Sequence, residues 1–258
     1  MARKKQLLLV LWFGLGAAGV CAQTVTVHGR VEIARAASRN DKSKKAKAIE
    51  GRQRYAAVPE TVVWLTPAPG SGVELDPPKP DTSGKAKLEQ KNKTFEPHVL
   101  VVPAGSMVEF PNHDPFFHNV FSLFEGKRFD LGLYEAGSSR GVRFDRPGIS
   151  YIFCNIHPDM SAVIITLATP LYAIAGVDGQ ISIADVPYGR YRLHMWSEGM
   201  GPENEKPLSR EITIGEGAAS LGAIRVPEVN GQHIAHKNKY GRDYDTPTPD
   251  SSVYEQQK

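Results

Sequence analysis

The run Cys154-Asn155-Ile156-His157-Pro158-Asp159-Met160 sets a thiolate, an imidazole and a thioether three positions apart within seven residues. Sulfur donors are soft and select copper or zinc, and two His, one Cys and a weak axial Met are the donor combination of a blue-copper electron-transfer centre. A second imidazole must then come from elsewhere in the chain. The run Pro111-Asn112-His113-Asp114-Pro115-Phe116-Phe117-His118-Asn119-Val120 holds two candidates, His113 and His118, and His118 opens the apolar segment Val120-Phe121-Ser122-Leu123.

The elements around these residues can bring them together. Cys154 ends the apolar run Ile149-Ser150-Tyr151-Ile152-Phe153, after which Pro158 restricts the backbone next to His157. Met160 is followed, after Ser161, by Ala162-Val163-Ile164-Ile165, a buried strand returning along a sheet. The three donors are therefore expected where two strands meet at one end of a sandwich. Taken singly, a buried Cys or Met is an ordinary core filler; the conjunction is what points to a metal. Zinc is the rival metal, but Met is a poor zinc ligand and structural zinc sites use Cys and His. Four protein donors leave no open position for a substrate, so electron transfer is expected rather than turnover, and the chain is not expected to be an enzyme. The His-x-His pairs of multicopper oxidases are absent.

Residues 1–22 carry Arg3, Lys4 and Lys5, an apolar stretch from Leu7 to Val20, and a small residue, Ala22, before Gln23. This is the pattern of a secretory signal peptide, too short in its apolar part for the roughly 20 residues of a spanning helix. A periplasmic or secreted protein with no membrane span after cleavage is expected. Cleavage would leave 28 of the 31 basic residues against 28 acidic ones. A near-neutral chain lacks the excess positive charge that nucleic-acid binding requires. Cleavage also removes Cys21 and leaves Cys154 without a disulfide partner, unusual for an exported protein and apt for a ligand.

Short β-branched and aromatic runs dominate the rest, among them Val25-Thr26-Val27, Val62-Val63-Trp64-Leu65, Val99 to Val102, Val108 to Phe110, Val163 to Leu167, Ile181 to Ile183 and Tyr191 to Trp196. Gly, Pro, Asn and Asp separate them, and no helix-length amphipathic pattern occurs after residue 22, so an all-β sandwich protein is predicted. The Pro- and Gly-rich stretch 71–84 marks a linker. Residues 23–70 and 170–228 are expected to form one sandwich, with a unit at 85–168 inserted in or adjoining it, because closing a longer loop costs little more. Alone, residues 24–66 would have too few strands to hold a core. Residues 229–258, polar and aperiodic with Pro247 and Pro249, are expected to be a flexible tail.

Two resemblances add to this reading. The C-x2-H-x2-M spacing, the pattern Asn112 to His118-Asn119-Val120, and the upstream Phe95-Glu96-Pro97 and Val102 to Phe110 segments resemble cupredoxins of the methylamine-utilisation, amicyanin-like type. That likeness implies a Greek-key sandwich over 85–168 holding one type 1 copper, with His118, Cys154 and His157 as equatorial ligands and Met160 as the long axial one. It also implies that hydrogen bonds of Asn119 tie the two ligand segments together, ranks His113 well behind His118, and makes the His157 surface the electron exit. Asp159 departs from the aromatic residue often found in such loops. The opening Val27-His28-Gly29-Arg30-Val31, the strand Thr61 to Leu65, and the Asp178-Gly179 and Pro187-Tyr188-Gly189 turns resemble carboxypeptidase regulatory-like (transthyretin-like, carbohydrate-binding-like) sandwiches.

The expected function is thus an exported one-electron carrier or relay, whose partner would be a periplasmic redox protein, a cytochrome or a dehydrogenase. The alternative is a copper-containing binding or scaffold protein whose second sandwich docks a carbohydrate or a partner enzyme, with Trp64 and Trp196 as stacking platforms. The basic segment from Arg35 to Arg54 is a solvated loop or, more pointedly, a docking surface for an acidic redox partner.

Overall fold

The computed structural model describes residues 23–34, 59–123, 126–198, 209–227 and 236–244. The expected signal peptide and the basic segment 35–54 lie outside these residues, as does the expected tail apart from 236–244. Among the described residues there are seventeen strands and no helix. The chain opens with β1 (Thr24–Ala34) and β2 (Thr61–Pro67). It continues through β3 (Ala86–Lys87), β4 (Glu89–Lys91), β5 (Thr94–Glu96), β6 (Val99–Pro103), β7 (Ser106–Pro111), β8 (His118–Ser122), β9 (Phe129–Tyr134), β10 (Ser139–Phe144), β11 (Gly148–Cys154) and β12 (Ser161–Leu167). It closes with β13 (Tyr172–Ile174), β14 (Gln180–Pro187), β15 (Gly189–Ser197), β16 (Arg210–Ile214) and β17 (Ser220–Pro227).

The first two and last five strands make one sandwich. Its sheets run β14-β1-β17 and β13-β2-β15-β16. β2 pairs antiparallel with β15, setting Leu65 opposite Leu193 and Val63 opposite Met195. Residues alternate out and in along β14, so Ile181 and Ile183 turn inward to join Val27, Val31, Tyr191 and Ile214 in one core. Two glycines are required by this packing. A side chain on Gly29 would meet Leu221 Cβ at 2.9 Å where β1 runs beside β17. Gly179, at φ 77°, takes the left-handed turn position before β14.

The strands between them make a second sandwich, with sheets ordered β10-β7-β3 and β6-β12-β11-β8-β9 and a separate β4-β5 hairpin. Every residue of β12 is buried. A strand buried on both faces loses the usual alternation and becomes continuously apolar. One face, with Ala162 and Ile164, enters the interior of this sandwich beside Phe110, Val120 and Ile152. The other, with Val163 and Ile165, packs with Phe121, Tyr151 and Phe153 against Val62 and Trp196 of the flanking sandwich. Trp196 Nε1 donates to the Tyr151 hydroxyl at 3.2 Å across this junction. Residues 71–84 form no strand, although Val73 and Leu75 lie against the flanking core and the Asp81 carbonyl accepts from Met107 N–H at 2.8 Å.

Candidate metal centre

β8 and β11 run antiparallel, with Cys154 opposite Val120, so the first residue of one strand and the last of the other lie at the same sheet end. His118 and Cys154 are thereby brought together. The chain then turns, and Met160 closes the turn: its carbonyl accepts from Cys154 N–H at 3.2 Å while its N–H donates to the His157 carbonyl at 3.1 Å. Cys154 Sγ lies 3.6 Å from His118 Nδ1 and 3.4 Å from His157 Nδ1. The donor atoms of His118, Cys154 and His157 all fall within 4.8 Å of one another, a grouping found nowhere else among the described residues. A sulfur about 2.3 Å and a nitrogen about 2.0 Å from a shared ion stand roughly 3.5–3.8 Å apart, so these separations fit a common metal. Met160 is buried in the same core cluster as Cys154.

The His118 ring is held from behind. Its Nε2 donates to Asp114 at 2.8 Å, which leaves Nδ1 as a free lone pair facing Cys154. A carboxylate behind a ligating imidazole fixes both tautomer and ring angle. Asp114 is itself pinned by Asn92 N–H at 2.6 Å and Lys93 N–H at 2.9 Å. Those two residues form the β4-β5 turn at φ 55° and 58°, a left-handed pair that aims successive N–H groups at one anion. Phe116 covers both imidazoles, with ring centroids 5.3 Å from His118 and 5.6 Å from His157. The Lys93 ammonium lies 5.4 Å from the Phe116 ring.

The protonation states suit ligation. Burial pushes His157 down to about 4, helped by the nearby His118 and Lys93 charges. Burial lowers His118 as well, against the opposing pull of Asp114. Both rings are therefore neutral at pH 7 and offer lone pairs. Burial raises the Cys154 thiol, partly offset by the backbone N–H groups of Asn119, Ile156 and His157. Thiolate ligation must then expel a proton, so metal binding by this site weakens in acid. Asp114 stays below the usual carboxylate range: burial opposes this, but the N–H of Lys93, His118 and the N–H of Asn92 outweigh it.

His113, the other imidazole of the Pro111 to Val120 run, lies apart with half its side chain exposed, 3.6 Å from Glu89. Asn119 ties the ligand segments through its backbone, its carbonyl accepting from Asn155 N–H at 3.3 Å, whereas its side chain donates to Asp130 at 2.7 Å. His98 and His194 are partly buried, the latter 2.8 Å from the Thr66 hydroxyl and stacked on Trp64. Trp196 is 3% exposed and belongs to the junction core, which removes it as a stacking platform. Sequence reasoning passed over Asp114, Phe116, Asp130 and residues 236–244. Asp114 alone carried a signal: a carboxylate four residues before a histidine that leads a strand.

No family model matches the chain, and no curated protein matches it. Among solved structures, a purple cupredoxin from Nitrosopumilus maritimus is similar at 22% identity over 32% of this chain and 99% of its own, with a TM-score of 0.29. A copper-containing nitrite reductase from Thermus scotoductus is similar at 25% identity over 40% of this chain and 25% of its own, with a TM-score of 0.31. A reduced single-site mutant of amicyanin is similar at 17% identity over 40% of this chain and 98% of its own, with a TM-score of 0.31. Among the described residues the molecule is all-β, with several sheets. His118, Cys154 and His157, with Met160 buried in the same core cluster, are the donor types of a type 1 copper site.

Proposed function

We propose that the chain is an exported type 1 copper protein that carries single electrons and performs no turnover chemistry of its own. The observation that carries this reading is the convergence of two neutral imidazoles and a buried thiol at one end of a packed sandwich. When bound, copper supplies a one-electron couple. His118, Cys154, His157 and Met160 would hold it. The chain's contribution is rigidity: Asp114 fixes one ring, the Cys154 to Met160 turn is closed by backbone hydrogen bonds, and Phe116 packs against both imidazoles. A site so held reorganises little when its charge changes. His157, the half-buried ligand, is the point where an electron would pass to a periplasmic cytochrome or dehydrogenase.

Copper titration of the full chain tests this. An intense visible band that disappears on reduction, with a reversible couple, is the expected result. A pale, tetragonal copper spectrum overturns it. Export is tested separately by sequencing the N-terminus of the secreted protein, where a start at Gln23 is expected.

A further inference from the structure

The segment 236–244 lies against the metal loop, and its contacts fall on the residues that flank the cysteine donor. Tyr244 donates its hydroxyl proton to the Cys154 carbonyl at 2.8 Å. With that proton committed, the same oxygen accepts from His236 Nε2 at 2.9 Å. The His236 ring stacks on Phe153, centroids 3.9 Å apart and planes 18° from parallel. Lys239 N–H donates to Asn155 Oδ1 at 3.0 Å. Its ammonium meets Asp130 Oδ2 at 2.8 Å, and the other oxygen of that carboxylate accepts from Asn119 Nδ2. One short segment thus holds Phe153, Cys154 and Asn155 and reaches through Asp130 to the residue after His118.

The segment is shaped for this by its own turn. Asn238 Oδ1 accepts N–H bonds from Tyr240 at 3.0 Å and Arg242 at 3.1 Å, and the Asn238 N–H donates to the Arg242 carbonyl at 2.8 Å. Gly241 supplies the left-handed position at φ 74°. Closing the turn brings His236 and Tyr244 together at its two ends, so both reach the same strand end.

We propose that residues 236–244 are an external brace of the metal centre, with Tyr244 and His236 as positioning residues for Cys154. The role rests on the copper reading above. The brace acts in two ways. It restrains both neighbours of the cysteine donor, and it points the positive end of a hydroxyl dipole at Cys154, which favours the less positive, reduced state of a bound ion. Removing an outer partner of a ligand typically weakens metal binding about 10- to 100-fold.

The test uses the full-length protein and two variants, Tyr244→Phe alone and with His236→Ala. Expected results are a Cu(II) dissociation constant raised about tenfold in chelator competition, a midpoint potential shifted lower, and faster hydrogen exchange at residues 154–157 in the metal-free protein. Tyr240→Phe, an exposed position on the same turn, should change none of these. Unchanged affinity, potential and exchange in both variants would overturn the brace. Should the double variant fail to fold, Tyr244→Phe, which removes one oxygen atom, decides the matter. If the parent protein gives no intense copper band, the electron-carrier reading falls while the exchange measurement still judges the brace.

Discussion

The flanking sandwich fills its interior with Val27, Val63, Leu65, Ile181, Leu193 and their neighbours, and the buried phenol of Tyr191 satisfies its hydroxyl on the Pro187 carbonyl at 2.7 Å. The central sandwich has an equally apolar middle, yet at one end it buries His118, Cys154, Asp114, Asn112, Gln90 and Asn119. Apolar burial is non-directional and tolerates many sequences, whereas each buried polar group needs a partner at a set place. The polar end accordingly has a chain of dependence running from the β4-β5 turn through Asp114 to His118. Function is located where the interior stops being interchangeable.

Substitutions can break or sharpen that contrast. The largest effect is expected from Cys154→Ser, which should abolish the thiolate charge-transfer band while leaving the far-ultraviolet circular dichroism of both sandwiches in place; His113→Ala should keep the band. Next comes Leu65→Ala, fully buried in the flanking core. It should lower unfolding stability by about 2–5 kcal/mol in urea titration and leave the copper spectrum of the folded protein unaltered. Were the spectrum to change, the two interiors would not be separable.

Asp114→Asn should weaken copper binding about 10- to 100-fold with little change in fold, measured by chelator competition. A retained affinity would mean that ring packing by Phe116 alone suffices to orient His118.

The smallest effect concerns the junction. Burial alone would depress His98, but the hydrogen bond and charge of Glu198, the charge of Glu60 and the Ser161 carbonyl hold it above its ordinary 6.5. Glu198 lies 3.1 Å away, and Asp159 lines the same cavity. The stabilisation from charged His98 is complete below pH 6.5 and disappears as pH rises through the raised folded value. Glu60, raised by burial, adds a fall of the same sign beginning near the ordinary 4.5. His98 and Glu60 should therefore contribute a loss of stability to the metal-free protein as pH rises, opposite in sign to the gain from the lowered His118 and His157, and Glu198→Gln should remove the part of that loss lying above pH 6.5 in thermal unfolding. An identical slope in both proteins would remove His98 from the account.

Much of the architecture was legible because it rests on local chemistry. Alternating runs such as Gln180 to Val186 and continuous ones such as Ala162 to Leu167 coincide with strands, and the C-x2-H-x2-M spacing names a loop whose donors sit near one another along the chain. What stayed hidden depends on distant partners. Asp114 looks like any loop acid until the turn at Asn92 and Lys93 is folded against it. Trp64 and Trp196 look alike as strand aromatics, but only packing decides that Trp196 belongs inside a junction. Residues 236–244 fall in a stretch expected to be a flexible tail because its composition is polar, and their hydrogen bonds to the metal loop reach groups more than 80 positions away.

The double-sided burial of β12 carries a practical consequence. Ser161 follows Met160 directly, so the thioether donor hangs from the edge of the layer shared by both halves of the molecule. Cut out as a gene fragment, residues 85–168 would show water a greasy flank of Tyr151, Phe153, Val163 and Ile165 that the host sandwich normally hides. Such a fragment should clump, which makes the flanking half a permanent lid for the half that bears the donors.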